Sequence, residues 1–265
     1  MKKYAILNLA SVILVIAVNY LSQALRLNNT TIGEISATYD NLFTPASYAF
    51  SIWGIIFLSL LAYGIFQLRR AFISDKKSVF IGQTGYWFCF ANVLNASWVI
   101  AFVYDYTSVS VLIMLGILFS LLQVVLRTNM ERWDAPVSII AFVWWPICIY
   151  SGWITVATIA NFSAYFSKLG WNGNPLSEVS WTIILIVVAV ILNLLMIVKR
   201  NMREFALVGV WALLAIYVRH QETQENIALS ALMGSIVLFI AILVHGYQNR
   251  KTNFFKKLME RTSNT

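Results

Sequence analysis

Residues 135–166 read APVSIIAFVWWPICIYSGWITVATIANFSAYF. Over roughly 30 positions there is no charged side chain and no period-2 alternation. Strands of membrane barrels run only about 9–11 residues, and a helix at a soluble surface needs a polar face. The stretch is therefore predicted to cross a membrane as a helix, and it is longer than one crossing needs. Pro146 falls inside it, leaves a backbone carbonyl without its helical donor, and is expected to kink it.

Seven further charge-free apolar runs flank this one, at 4–25, 45–68, 83–103, 107–126, 179–198, 205–218 and 226–249. Of the 265 residues, 60% are hydrophobic and 11% charged, against about 45–50% and 25% in a soluble domain. The chain cannot cover itself with polar surface. The fold class is all-α integral membrane protein with about eight transmembrane helices, and no sizeable extramembrane domain remains to house an aqueous enzyme. The weakest span is 205–218, which at 1.5 Å per residue reaches about 21 Å of a ~30 Å hydrocarbon core; it is read as a crossing helix.

Charge sets the orientation. With a cytoplasmic amino terminus, 16 of the 19 Lys and Arg residues fall in inside segments, and only Arg26, Lys168 and Arg219 fall outside. Both termini are expected in the cytoplasm, with the chain in the plasma (inner) membrane. The formal net charge of +8 follows from this topology and implies no nucleic acid. Lys2 and Lys3 before an apolar run resemble a signal peptide, but Asn8, Ser11, Asn19 and Gln23 interrupt that run. Ser11, Asn19 and Gln23 share roughly one stripe, as a bundle-facing span requires. Thr44-Pro45, Asp134-Ala135-Pro136 and Asn174-Pro175 each place a capping residue before a proline expected in a first helical turn.

No Asp, Glu, Lys, Arg or His lies near the middle of any span, which weighs against an ion-coupled pump. His220 reads as part of the outer loop and His245 as the inner end of the last helix, both in solvated or interfacial roles rather than as metal or haem ligands. Cys89 and Cys148 lack metal or disulfide spacing and read as packed thiols; no metal site is assigned. Hydrolase, kinase and nucleotide-binding motifs are missing, and no catalytic residue is assigned. What remains inside the membrane is aromatic and neutral polar. Phe50, Trp53 and Phe57 share one helical face, Asn92, Asn95 and Trp98 a second, and Tyr150, Trp153, Ala157 and Asn161 a third. Such faces either enclose a flat apolar ligand or pack helix against helix, and spacing alone leaves both open. Gly152 and Ala160 suit either a homodimer face or an internal contact.

The segment FTPASYAFSIWGIIF, 43–57, resembles the second helix of the tryptophan-rich sensory protein family (TspO/MBR), which includes the mitochondrial translocator protein or peripheral benzodiazepine receptor. The carrying positions are Pro45, Tyr48, Phe50, Trp53 and Phe57. FANVLNASW is similar to the family's asparagine-tryptophan motif at Asn95 and Trp98, and YSGWITVATIAN to its later series at Tyr150, Trp153, Ala157 and Asn161. Tyr48 stands where relatives usually carry Trp, Pro146 lies four residues before Tyr150 rather than next to it, and the family's first-loop signature is missing from ISATYDNLFTP.

The resemblance covers 1–166 and implies a TspO-like five-helix core. Three additional transmembrane helices at 167–249 and a basic cytoplasmic tail at 250–265 then mark a long, divergent branch. It further implies an aromatic intramembrane pocket that binds a hydrophobic small molecule, tetrapyrrole-like (porphyrin or haem as ligand) or sterol-like, among membrane lipid. The implied ligand-binding residues are Tyr48, Phe50, Trp53, Phe57, Asn95, Trp98, Tyr150, Trp153 and Ala157, with Asn161 structural. The leading expectation is a sensory and binding protein. A transporter of a lipophilic solute is the alternative, and a tetrapyrrole-degrading membrane enzyme a weaker third, since no buried acid or base is available.

Overall fold

The computed structural model describes residues 1–39, 41–76, 78–171, 173–250 and 258–259. The expected basic tail, 250–265, lies outside the described residues apart from Arg250, Leu258 and Met259. The elements are α1 (Lys2–Ala24), α2 (Ile32–Thr38), α3 (Ile52–Phe72, entered through a 3-10 turn at Ser47–Ser51), α4 (Val79–Thr84), α5 (Trp87–Val103), α6 (Thr107–Arg127), α7 (Val137–Ile139), α8 (Trp145–Lys168), α9 (Glu178–Arg200), α10 (Arg203–His220) and α11 (Glu225–Gln248). Among the described residues there is no strand.

Six stretches, Lys2–Ala24, Ser47–Phe72, Thr107–Arg127, Val137–Lys168, Glu178–Arg200 and Glu225–Gln248, are long and apolar enough to cross a membrane. The other two expected spans are helical but marginal. α5 has 17 residues because Gly85, at φ +54°, breaks the chain between α4 and α5. α10 is continuous over 18 residues, four more than its apolar run, and carries charge at both ends. The expected count of eight is thus approximate. Large apolar side chains such as Leu58, Val198 and Leu112 stand about 70% exposed (72, 71 and 69%), as lipid-facing residues of a multi-pass membrane protein must.

Five helices close a ring by successive contacts: α1 on α3, α3 on α8, α8 on α6, α6 on α5, and α5 back on α1. α10 packs on α8, and α9 and α11 pack on α10. α8 is the shared member, and with the turns ahead of it forms the most buried of the six long apolar stretches. Close approach of α10 needs Gly152, since a Cβ there would lie 2.8 Å from the Phe205 carbonyl oxygen. Gly152 therefore serves an internal contact.

The polar stripe on α1 faces the bundle in part. Asn8 donates to Gln67 on α3 at 2.9 Å, and Asn92 on α5 donates to Ser11 at 3.0 Å. Gln23, expected on the same stripe, is exposed, and Ser22 is buried in its place. Ahead of α8, residues Ile140–Trp144 form a π-helical turn in which the Trp145 N–H reaches back to the Ile140 carbonyl. This wide turn delivers Pro146 to the first turn of α8, where a missing N–H costs little. The expected mid-span proline is thereby absorbed. Pro136 is the N-cap residue of α7 rather than a first-turn residue, and Pro175 precedes the true α9 cap, Ser177, whose Oγ accepts the Ser180 N–H at 3.1 Å.

Hydrogen bonds sort the loops into two ends. At one end Asn28 donates to the Val103 carbonyl, Lys168 pairs with Asp105, and Arg219 donates to the Asn41 and Thr44 carbonyls. At the other, Arg200 reaches the Val125 carbonyl, Asn201 reaches the Glu131 carbonyl, and His245 bonds Asn201. The long helices therefore alternate in direction along the chain. His220 is not a solvated loop residue: it ends α10, is 3% exposed, and its Nε2 lies 2.9 Å from the Leu42 carbonyl oxygen.

Candidate functional site

Trp53, Trp98 and Trp153 approach one another from α3, α5 and α8. All three line a void of about 50 Å³ together with Phe50, Met114, Ala157 and Asn161. That is room for one or two water-sized groups and too little for a ring system. Beyond Phe50 and Trp53 a cleft of about 810 Å³ opens between α1, α2 and α3, within the range of small-molecule sites. Ile32, Ser36, Thr44, Pro45, Phe50 and Trp53 line both spaces. They form a partition, with the small void on one side and the larger cleft on the other.

The sequence-derived residues divide across this partition. Phe50 and Trp53 stand in it, and Phe57 lines the cleft, stacked on Trp53 with ring centroids 5.1 Å apart. Trp98, Trp153 and Ala157 line only the void. Trp153 meets Phe50 edge-on at 6.0 Å and Trp53 at 6.5 Å. Asn95 and Tyr150 line neither space: the Asn95 amide donates to the Tyr150 hydroxyl at 2.8 Å in a fully buried contact behind Trp53. Tyr48 turns away, 41% exposed, with its ring edge-on to Trp211 of α10 at 5.3 Å.

Polar groups around the void are mostly committed to the fold. Trp98 Nε1 donates to Asn161 Oδ1 at 2.7 Å, and Asn161 Nδ2 donates to Ser110 at 2.9 Å, joining α5, α8 and α6. The indole N–H of Trp153 is buried and has no hydrogen-bond partner among the described residues. Such a donor has an uncompensated desolvation cost, which an acceptor entering the void would relieve.

The cleft walls that sequence spacing did not reveal come from α1 (Ile16, Asn19, Tyr20, Gln23) and α2 (Gly33, Ser36, Ala37). α2 does have a readable signature. Thr31 and Glu34 form a capping box, the Thr31 Oγ1 accepting the Glu34 N–H and the Glu34 side chain accepting the Thr31 N–H. Both Glu34 oxygens also lie 2.9 Å from Arg26, and the guanidinium holds this carboxyl below the usual Glu range. At the far end of α2, Tyr39 donates to Asp105 at 2.7 Å. Burial, helped by that hydrogen bond, pushes the Tyr39 phenol above its ordinary value.

An all-helical, multi-pass membrane protein with an aromatic cleft beneath a short capping helix is the class that these features define. A family model described as TSPO-like protein (TSPO_2) matches residues 5–244, and the chain belongs to that family. The match runs through most of α11, so α9 to α11 lie within it along with the helices that carry the tryptophan motifs. No curated protein and no solved structure matches the chain.

Proposed function

We propose that this protein is a sensory and binding protein of the plasma membrane, with both termini cytoplasmic, and that it takes a flat hydrophobic ligand of tetrapyrrole or sterol type. The observation that carries the reading is the placement of Trp53: it stacks on Phe57 and faces a cleft of about 810 Å³, large enough for such a ring system. The ligand lies in that cleft against Trp53 and Phe57, not in the small void behind them. Binding is by stacking and shape, with no covalent step. A ligand that displaces the Phe50–Trp53 partition transmits its presence through Trp153 to α8 and, across Gly152, to α10.

Protoporphyrin titrated at micromolar concentration into the detergent-purified protein tests this. Tryptophan emission should be quenched in the wild type, and Trp53→Leu should weaken the affinity more than Trp98→Phe, because only Trp53 of the three convergent indoles lines the cleft. A wild type that is not quenched by protoporphyrin, and whose emission a sterol does not change, rejects the reading.

A further inference from the structure

Away from the cleft, at the opposite end of the bundle, three chain segments bring together a thiol and two carboxylates. Cys148 comes from the first turns of α8, Glu131 from the loop between α6 and α7, and Glu204 from the first turn of α10. One potential ligand atom of each, Sγ and two carboxylate oxygens, all lie within 4.8 Å of one another.

Glu131 and Glu204 also line a cavity of about 240 Å³ shared with Arg132, Asp134, Asn201, Arg203, His245 and Asn249. Cys148 is fully buried and is not on the cavity wall, so the carboxylates stand between the cavity and the thiol.

A second observation bears on what belongs there. Glu204 Oε2 is sealed from solvent and makes no hydrogen bond of full geometry among the described residues; the Trp145 indole N–H approaches the carboxyl without satisfying that oxygen. A buried carboxylate oxygen with no donor is costly unless a proton or a cation meets it. His245 Nδ1, on the same cavity, is likewise buried and without a partner, while its Nε2 is held by Asn201 Oδ1 at 3.0 Å. Asn249 Nδ2 also lies 3.3 Å from Nε2; with the proton on Nε2 for the shorter bond to Asn201, Nδ1 presents a lone pair.

We propose that Cys148, Glu131 and Glu204 bind one borderline-soft divalent cation of the zinc class, which enters through this cavity, with the fourth position open to water or to His245. Sulfur with carboxylate oxygen is a donor set that suits zinc better than magnesium or calcium. Bond lengths near 2.0–2.3 Å place tetrahedral ligand atoms about 3.5 Å apart, so the observed cluster has to contract by only about an ångström. The charges balance as well. A thiolate and two carboxylates around a dication leave one negative charge, and Asp134 with the two arginines on the cavity wall cancels it. Binding releases the thiol proton into the cavity. The site joins α8 to the start of α10, so a bound cation would fasten the five-helix ring to the last three helices. Sequence spacing concealed it because the ligands lie 17 to 73 positions apart on three segments.

The chain has two cysteines, which makes the test decisive. The detergent-purified Cys89→Ser protein is stripped with chelator and titrated with cobalt(II) as a zinc surrogate. A thiolate-to-cobalt charge-transfer absorption is expected, which only Cys148 can supply in that variant. It should saturate at one cobalt per chain, be displaced by zinc, and require at least tenfold more cobalt in a Cys89→Ser, Glu204→Gln double variant. Absence of the absorption in the Cys89→Ser protein overturns the proposal. So does an absorption whose cobalt requirement is unchanged by Glu204→Gln. Neither result depends on whether the cleft binds protoporphyrin.

Discussion

The indole N–H of Trp98 and the carboxamide oxygen of Asn161 lie 2.7 Å apart, both side chains buried, one on α5 and the other on α8. Two residues read from sequence on separate helix faces, Asn161 as a structural one, thus form a cross-brace of the helix bundle. Removing the N–H while keeping a ring, as in Trp98→Phe, leaves Asn161 Oδ1 with only its longer 3.3 Å contact to Ser110. A loss of about 1–2 kcal/mol is expected, read as a lowered thermal midpoint in detergent.

Gly152 gives the complementary test of the α8–α10 contact. Its Cβ would meet main chain, not a flexible side-chain tip, so Gly152→Ala should destabilise by about 1–3 kcal/mol through overpacking. Gly82, in α4, has open space where its Cβ would stand, and Gly82→Ala should be neutral or stabilise by up to about 1 kcal/mol. Thermal unfolding of the two variants side by side separates helix propensity from packing. Equal midpoints would contradict the close approach.

Ala157 faces the 50 Å³ void. Ala157→Val fills part of it and should raise stability by about 0.5–1 kcal/mol. Protoporphyrin quenching should be unchanged, because Ala157 does not line the cleft. A quenching response that disappears in this variant would instead move the ligand into the space between α3, α5 and α8.

The α1–α2 segment should respond to acid in a defined direction. Arg26 lowers the Glu34 pKa, so the stabilisation from this pair is complete above the unfolded carboxylate value. It is lost as pH falls through the lowered folded value. The pair is exposed, 53% and 49%, so its effect is local and screened by salt. Amide exchange or limited proteolysis over 27–38, with the intrinsic pH dependence of the method subtracted, should rise on acidification in the wild type. In Glu34→Gln it should be high already at neutral pH and show no such acid-dependent rise.

The spans were legible because membrane burial writes itself as charge-free length, and seven of the eight runs start within two residues of an observed helical stretch, counting the 3-10 entry to α3 and the turns ahead of α8. The third run failed at its start because the glycine at 85 takes a left-handed φ that composition does not announce. The stripes that carry Trp53, Trp98 and Trp153 were legible, but their meeting at one void was not, since spacing on each helix does not say what that face meets. The cleft was not, because its outer wall is α2, a seven-residue helix too short to register as periodicity. Tyr48 shows the limit of motif transfer: two positions before Phe50, it stands on another side of the turn in either α or 3-10 winding, and its ring meets Trp211 instead of the cleft. The thiol and carboxylate cluster was out of reach because contacts between distant segments leave no spacing to read.

The π turn at Ile140–Trp144 has a consequence for how this chain tolerates length changes. A wide turn holds one residue more than an α-helical path between the same two ends. Excision of a single residue there can be taken up by tightening to ordinary α geometry, leaving both flanks in phase. Anywhere else along α8 the same excision would swing every side chain beyond it by about 100°, sending Trp153 and Asn161 to different neighbours. Insertions and deletions that survive in this helix should therefore cluster at 140–144.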